Sequence, residues 1–462
     1  MRVWPSCSAL LWPALLLAGP AQELPRGAVS AKVACRGDAS QSYALYLPST
    51  YSRDRKWPIL YAFDAGARGE LAVQRFSDAA ERYGLIVVAS NNSRNGPTEI
   101  AQNALNAMLA DTRARFPLAA GQVYVAGFSG GARVAVMVGM AMKEDVAGVI
   151  GFGAGFPAGM PTVSVPFAYF SAAGTDDFNY PELRDLDRVL EDLGSPHRFE
   201  VFEGAHEWPA EAVCTRAIEW MELQAMKSGR RARDAALVER LYASALDEAA
   251  SEERAGHAYQ AFSRYAAAAK DFAGLHDVST CERKARQLQP SPDVKQMLAD
   301  LAASVDQQQR VAMRIVRLSD AITGRNPGPA ARDLLDLVAD LKIKADGPGS
   351  RVDRMVARRL LAGVWVQFNE LTSADFERKE YASAAARLRV MAAMRPDSAR
   401  AEYLLARACA RAGNSQEALE ALQRAVAKGF TDAAALRSEA DLDSIRREAT
   451  FQRILESIKR DP

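Results

Sequence analysis

The apolar pattern of this chain changes once, near residue 228, and that change restricts the fold more than any single motif does. From about residue 29 to 227, short apolar runs alternate with segments of helical spacing. Strands and helices in alternation form mostly parallel sheets with helices on both faces. Beyond residue 235 the strand signals disappear, and Ala, Leu, Arg and Glu dominate. We therefore predict an α/β domain followed by an all-α domain.

These predicted elements also set the predicted domain bounds. The runs predicted to be strands are residues 43–47, 59–63, 85–89, 123–126, 146–152, 167–172 and 199–202. The segments predicted to be helices are residues 71–82, 99–115, 131–142, 182–193 and 210–226. The α/β domain is expected over 22–227, a linker over 228–235 and the helical domain over 236–462. Because such sheets bind ligands at the carboxyl ends of their strands, the chemistry is expected there.

A serine stands at one of these strand ends. The run 123–126 leads into Gly127-Phe128-Ser129-Gly130-Gly131, a G-x-S-x-G motif that precedes a predicted helix. Glycines are needed on both sides because the serine sits on a strained strand-to-helix turn where a Cβ atom would clash. The motif therefore predicts Ser129 as a nucleophile, which requires a base within hydrogen-bond reach.

The base and its supporting acid are sought downstream. His206 follows the strand 199–202 at its carboxyl end, whereas His197 precedes that strand and would face the opposite edge of the sheet. An imidazole base needs a carboxylate to fix its tautomer. Asp176 and Asp177 both follow the strand 167–172, so the residues alone leave the acid open between them.

The motif at Ser129 and the chain order Ser, Asp, His resemble the α/β-hydrolases, in particular the carboxylesterases, dienelactone hydrolases and polyhydroxybutyrate depolymerases. The resemblance covers about residues 29–227. In that group the acid usually stands three residues after a glycine, which favours Asp177 over Asp176 here. The resemblance thus implies a triad of Ser129, Asp177 and His206.

The resemblance also implies an oxyanion hole with two backbone donors. One is the N–H of Gly130, and the other comes from the loop 63–69, where Ala65 or Gly66 would supply it. Relatives usually carry His-Gly where this chain has Asp64-Ala65. Asp64 would repel a developing oxyanion unless it is neutralised, for which Arg68 is the nearest candidate, or it only orders the loop.

Three residues are candidates for substrate contact. Asn91 and Asn92 follow the strand 85–89 and should reach the rim, although a turn role is the alternative for both. Trp208 would line the cleft or belong to the core. Only residues 153–166 separate two strands where many hydrolases of this fold insert a cap, so we predict an open cleft suited to a bulky or polymeric ester.

The helical half contains an internal repeat of 34 residues, over 365–398 and 399–432. Equivalent positions share residue types: Leu371 and Leu405, Ala384 and Ala418, Leu388 and Leu422. The pattern resembles the tetratricopeptide repeat, although Lys379 stands where glycine is usual. The resemblance implies a groove that binds a peptide or partner protein.

The N-terminus predicts export. Arg2 precedes an apolar run over 9–18 and small residues at 19–21, which is typical of a cleaved signal peptide over 1–21, and the run is too short for a stable membrane span. The mature protein would be periplasmic or secreted. In an oxidising space Cys35 and Cys214 either pair or stay as buried thiols.

The composition excludes several classes of function. A net charge of +1 gives no basic field for nucleic acid, and five cysteines without a C-x-x-C pair predict no metal site. No cofactor is expected either. The leading hypothesis is an exported serine hydrolase that forms an acyl-enzyme from a carboxylic ester. The alternatives are a serine exopeptidase related to prolyl oligopeptidase, or a tetratricopeptide-type interaction module on a vestigial hydrolase platform.

Overall fold

The first half of the chain is organised around a single sheet. The computed structural model describes residues 24–143, 145–160, 164–323 and 327–460, so the predicted signal peptide lies outside the described residues. Within them, eight strands join in the order β1-β2-β4-β3-β5-β6-β7-β8. The pairs β1–β2 and β2–β4 are antiparallel, and all other neighbours are parallel. This sheet confirms the predicted α/β-hydrolase fold.

The strands and helices of this half follow one another in regular alternation. The strands are Val29–Ala34 (β1), Ser42–Tyr46 (β2), Trp57–Asp64 (β3), Ile86–Ser90 (β4), Leu118–Phe128 (β5), Val146–Phe152 (β6), Ala168–Gly174 (β7) and His197–Phe202 (β8). The helices are Gly69–Tyr83 (α1), Thr98–Arg115 (α2), Gly130–Ala141 (α3), Tyr180–Asp192 (α4) and Glu211–Lys227 (α5). The sequence pattern missed β1, because this edge strand carries exposed residues on both faces and has no apolar run.

Helices cover both faces of the sheet, as predicted. Phe76 of α1 and Ile218 of α5 are buried on one face. Met108 of α2, Val136 of α3 and Leu190 of α4 are buried on the other. Each such side chain contributes roughly 1.5–3 kcal/mol relative to an exposed one. Two apolar layers therefore hold β5, and the turn that follows it, in the centre of the sheet.

The second half is helical throughout its described part. Its helices are Ala235–Arg254 (α6), Ala258–Phe272 (α7), Ser279–Leu288 (α8), Pro292–Ile322 (α9), Gly328–Asp346 (α10), Arg351–Glu377 (α11), Tyr381–Met394 (α12), Ala399–Arg411 (α13), Ser415–Ala427 (α14), Ala433–Ser438 (α15) and Ala449–Arg460 (α16), with a 3₁₀ turn at Ala440–Leu442. None of the helices in the described ranges is long and apolar enough to cross a membrane.

The predicted repeat corresponds to two helix pairs, α11–α12 and α13–α14. Ala384 and Ala418 are fully buried, so small side chains allow the paired helices to approach closely. In each pair, the turn between the two helices contains one residue with a left-handed backbone conformation. In the second pair this residue is Gly413, with φ 81°. In the first pair Lys379 takes the same conformation with φ 62°. The backbone therefore keeps the repeat geometry where the sequence departs from it.

The two halves share an apolar interface. Leu301 and Val305 of α9 pack against Ala173 at the end of β7 and against Tyr180 and Leu183 of α4. The end of β7 is also where the predicted catalytic acid follows. The helical half therefore contacts the sheet next to the candidate site.

The positions of Cys35 and Cys214 show that they do not form a disulfide. Cys35 and Cys214 are both free and buried, and they belong to the apolar layers on opposite faces of the sheet. Burial, reinforced by nearby Asp111, raises the pKa of the Cys35 thiol to about 11. Both thiols therefore act as small core residues.

Candidate functional site

Ser129 lies at the top of the central strand in a strained conformation. Its φ is 56° and its ψ is −123°, and its N–H donates to the carbonyl of Phe152 at 2.8 Å. A Cβ atom on Gly127 would lie 2.1 Å from the Gly131 carbonyl oxygen, and one on Gly131 would lie 2.1 Å from that of Phe63. Both flanking glycines are therefore sterically required, as the motif predicted. The turn holds the Ser129 hydroxyl clear of its own helix.

The imidazole of His206 lies between the serine and an aspartate. Its Nε2 is 2.9 Å from Ser129 Oγ, and its Nδ1 is 3.0 Å from Asp177 Oδ1. The carboxylate accepts from Nδ1–H, so Nε2 is left free to accept the serine hydroxyl proton. The three residues come from the loops after β5, β7 and β8. This arrangement can move a proton from the hydroxyl to the imidazole.

The loop after β7 fixes the position of Asp177. The Asp177 side chain is fully buried, and its Oδ1 also accepts the N–H of Asn179 at 2.8 Å. The Asn179 side chain in turn donates to the carbonyl of Gly153 at 2.7 Å. The carboxylate is therefore aimed at His206 by its own loop before any substrate binds.

Asp176 points away from the imidazole. Its carboxylate lies 3.6 Å from the guanidinium of Arg358 on α11. Burial raises the pKa of Asp176 above its ordinary value, although Arg358 and Arg359 oppose the shift. Of the two adjacent aspartates, only Asp177 contacts His206, so the spacing after Gly174 selected the residue that the fold places there.

Two aromatic rings enclose the imidazole. The ring centroids of Phe128 and Phe178 lie 4.7 Å and 4.2 Å from that of His206. Only 9% of the His206 side chain is exposed. Phe178 follows Asp177 directly, so one turn supplies both the carboxylate and a wall. Phe178 was not among the predicted site residues, although its place next to the acid was a usable signal.

The backbone N–H groups that are candidates for the oxyanion hole differ in whether they already have an acceptor. Gly130 begins α3, and the first N–H groups of a helix have no acceptor within the helix. The N–H of Gly66 donates to Asp64 Oδ1 at 2.7 Å and is therefore occupied. Of the two predicted loop candidates, this leaves the N–H of Ala65.

Asp64 is a buried carboxylate with a full set of donors. Arg68 donates to both of its oxygens at 2.9 Å, and Trp208 Nε1 donates to Oδ2 at 2.6 Å. Burial would raise the pKa of Asp64, but the hydrogen bonds from Arg68, Trp208 and Gly66 outweigh it and hold the pKa below its usual range. The residue is therefore charged, paired with Arg68 as the sequence suggested, and it orders the loop after β3.

Trp208 is not a cleft residue. It is only 4% exposed, and its ring packs against Phe76, Phe128 and Phe152 in the core. Its one polar atom is committed to Asp64. The prediction that Trp208 contacts substrate is wrong, because the indole points into the core, whereas His206, two residues earlier, faces the site.

Asn91 and Asn92 connect strands. The Asn91 amide donates to the carbonyl of Ala31, and the Asn92 side chain accepts from the N–H of Ser42 and donates to the carbonyl of Ser40. Both therefore attach the β1–β2 hairpin to the end of β4. Their amides are used by the backbone, which agrees with the turn role rather than with substrate contact.

A third asparagine of the same loop does reach the site. The amide oxygen of Asn95 lies against Gly130, where a Cβ atom would come within 1.8 Å of it. The Asn95 Nδ2 donates to Glu370 of α11 at 2.8 Å, and its N–H donates to the Ala65 carbonyl at 2.9 Å. Asn95 was not among the predicted site residues, because nothing local to it reveals a partner 275 residues away.

The helical half forms one side of the site. Arg359 of α11 donates to the carbonyl of Thr175 at 2.7 Å, and Gln308 of α9 donates to that of Phe178 at 2.8 Å. Arg359 is fully buried beneath this loop, and burial lowers the pKa of its guanidinium. The segment between β6 and β7 is short, as expected, but the prediction of an open cleft is wrong on the side where α9 and α11 pack.

Comparison with known proteins gives one family match and several similar solved structures. The family described as tetratricopeptide repeat matches residues 375–442, which confirms the repeat resemblance. Among solved structures, a ferulic acid esterase is 16% identical with a TM-score of 0.36, over 42% of this chain and 96% of that one. The fluorophosphonate-binding serine hydrolase FphF of Staphylococcus aureus is 17% identical with a TM-score of 0.34, over 39% and 92%. Esterase B of Lactobacillus rhamnosis is 12% identical with a TM-score of 0.36, over 44% and 87%. The search of curated proteins gave no match.

Proposed function

We propose that this protein is a serine hydrolase that cleaves carboxylic esters through an acyl-enzyme on Ser129. The observation that carries the proposal is the continuous chain from Ser129 Oγ through His206 to Asp177, with contacts of 2.9 Å and 3.0 Å. The strained backbone at Ser129 supports it, because φ 56° with ψ −123° lies outside the left-handed region that a turn residue such as Lys379 adopts, and such strain clusters at active sites.

In the proposed reaction, Ser129 Oγ attacks the ester carbonyl while His206 Nε2 takes the hydroxyl proton. The carbonyl electrons pass to the oxygen, and the tetrahedral intermediate then breaks its bond to the alcohol, which leaves with the proton from His206. Water attacks the acyl-enzyme in the same way and releases the acid. Asp177 stabilises the imidazolium in both halves of the reaction without itself taking the proton.

The N–H groups of Gly130 and Ala65 would stabilise the oxyanion. Each such donor typically contributes about 100- to 1,000-fold in kcat. Asp64 is the last residue of β3 and precedes Ala65, yet its charge is balanced by Arg68 at 2.9 Å, so it need not oppose the developing charge. Its proposed role is to hold the Ala65 loop in place.

A substrate panel tests this function and separates it from the exopeptidase alternative. We expect the protein to hydrolyse p-nitrophenyl esters, and we expect Ser129→Ala to reduce the rate by at least 1,000-fold. Aminoacyl p-nitroanilides should be poor substrates. Turnover of the anilides in preference to the esters would favour the exopeptidase, and full ester activity in Ser129→Ala would exclude a serine mechanism.

We also propose that the protein is exported after removal of residues 1–21. The proposal is supported by Arg2, the apolar run over 9–18 and the small residues at 19–21. Mass spectrometry of the protein purified from its native host should give a mature N-terminus near residue 22. Recovery of the full-length chain from the cytoplasm would contradict export.

A second candidate function concerns the repeats. The family match over 375–442 favours a peptide- or protein-binding role for α12–α14, because tetratricopeptide arrays bind peptides in a concave groove. An immobilised peptide library probed with the full-length Ser129→Ala protein would test it. If the wild-type protein hydrolyses esters but the Ser129→Ala protein binds no peptide above background, the peptide-binding role is contradicted and the esterase function stands.

A further inference from the structure

An apolar groove lies between α9 and α11 on the side of the helical half that faces the site. Its volume is about 290 Å³, close to the lower end of the roughly 300–1,000 Å³ typical of small-molecule pockets. Most of its lining is apolar and includes Phe178, Ala312, Ile315, Val316, Leu360 and Val364. We call it the α9–α11 groove. Its size and lining suit one apolar group of a small molecule.

The α9–α11 groove adjoins the proposed catalytic centre through two of its lining residues. Phe178 lines the groove, and its ring centroid lies 4.2 Å from that of His206. Glu370 also lines the groove and accepts a hydrogen bond from Asn95, whose amide oxygen lies against Gly130. A molecule whose carbonyl is at Ser129 therefore has this groove beside it.

The backbone of α11 is adapted to this position. Gly363 lines the groove in the middle of the helix, where glycine costs about 1 kcal/mol relative to alanine. A Cβ atom there would lie only 3.2 Å from the Cβ of Phe178. The glycine therefore allows α11 to approach the Phe178 loop, which the buried Arg359 holds from below. The groove is formed by fixed elements from both halves of the chain.

One apolar side chain that lines the groove is also in contact with water. Val316 is 47% exposed, and Met313, three residues earlier on α9 and outside the groove lining, is 60% exposed. Exposed apolar side chains that continue into a concave apolar surface mark a binding site more often than scattered ones do. Two charged residues line the groove: Arg359, whose guanidinium donates to the Thr175 carbonyl, and Glu370, which accepts from Asn95. Their opposite charges leave the lining without a net charge, which suits a neutral ligand.

We propose that the α9–α11 groove binds the apolar substituent of the ester that Ser129 attacks. The proposal rests on the proposed esterase function and names its substrate class: neutral esters with an alkyl or aryl group that enters the helical half. The helical domain is then part of the enzyme's specificity, since the groove walls on α9 and α11 are absent from the sheet half.

The test compares two substrates in three proteins. The wild type should prefer p-nitrophenyl octanoate to p-nitrophenyl acetate in kcat/KM. Val316→Asp places a charge in the groove at a half-exposed position that should not impair folding. It should lower kcat/KM for the octanoate at least tenfold and change the acetate value less than twofold. Leu298→Asp is the matched control, because Leu298 is 38% exposed on the same helix but does not line the groove. It should change neither value.

A second pair of substrates shows which side of the ester enters. Octyl acetate carries the chain on the alcohol, whereas p-nitrophenyl octanoate carries it on the acid. A Val316→Asp loss confined to p-nitrophenyl octanoate would place the acyl chain in the groove, and a loss shared with octyl acetate would show that the groove takes the chain from either side. An equal effect of Val316→Asp on all substrates, or no effect on p-nitrophenyl octanoate, would overturn the groove proposal while short-ester turnover persists. If the wild type hydrolyses none of these esters, the proposed function itself fails.

Discussion

The buried pair of Trp208 and Asp64 makes a prediction that separates stability from catalysis. Trp208→Phe keeps most of the ring but removes the Nε1 donor, which lies 2.6 Å from Asp64 Oδ2. A hydrogen bond to a charged group contributes about 1.5–3 kcal/mol. Because a domain of this size loses about 2–4 °C of Tm per kcal/mol, the sheet half should melt about 3–12 °C lower. Differential scanning calorimetry measures this shift.

The same substitution should reduce catalysis, because Asp64 holds the loop that carries Ala65. We expect kcat for a p-nitrophenyl ester to fall about tenfold, less than the roughly 100-fold or more lost with an entire oxyanion donor. Trp220→Phe is the matched control, since its Nε1 donates to buried Asp271 at 2.8 Å, away from the site. The control should lower Tm by a similar amount and leave kcat unchanged.

The stabilisation that the charged Asp64 carboxylate provides should depend on pH. The pKa of Asp64 is lowered in the folded protein, so its stabilisation is complete above the unfolded pKa of about 3.9 and is lost as pH falls below it. The Tm difference between Trp208→Phe and the wild type should therefore be constant from pH 5 to 8 and narrow below about pH 4. Equal Tm values at pH 7, or equal kcat losses in Trp208→Phe and Trp220→Phe, would refute the reasoning.

Three further predictions, two of them with a matched control variant, test the site and the repeat. Asp177→Asn should lower kcat about 10³- to 10⁴-fold, whereas Asp176→Asn should change it less than about threefold; a comparable loss in both would contradict the assigned geometry. Gly131→Ala should prevent stable folding, because its Cβ would lie 2.1 Å from the Phe63 carbonyl oxygen, while Gly37→Ala, with open space around it, should stay within about 0.5 kcal/mol of the wild type in unfolding. Lys379→Gly should stabilise the helical half by about 1 kcal/mol, since φ is 62° there, and a lower Tm would show that the lysine side chain matters more than the backbone.

Local patterns predicted the parts of the fold that depend on local interactions. The buried strands β3 to β7 are nearly continuous apolar runs, so their existence and order along the chain could be predicted, and β6 was predicted with its observed bounds. The motif at Ser129 and the spacing from Gly174 to Asp177 encode local backbone geometry. These short-range features therefore identified the three residues that the fold brings together.

The failures concern pairs that are distant in sequence. Trp208 is two residues from His206, and its position left the cleft and the core both open, because the partner of its Nε1 donor is Asp64, 144 residues away. Asn95 meets Glu370 across 275 residues, and no short pattern predicts that contact. The wall formed by α9 and α11 likewise depends on how two domains pack. Such contacts follow from tertiary packing, which hydrophobic periodicity does not determine.

The central claim is that Ser129 is an activated nucleophile. The most direct measurement is intact-mass spectrometry after treatment with a fluorophosphonate, followed by mapping of the adduct to a peptide. We predict one adduct per chain, located on Ser129, and none in Ser129→Ala when its Tm matches that of the wild type. An unlabelled wild type, or equal labelling of Ser129→Ala, would contradict the account.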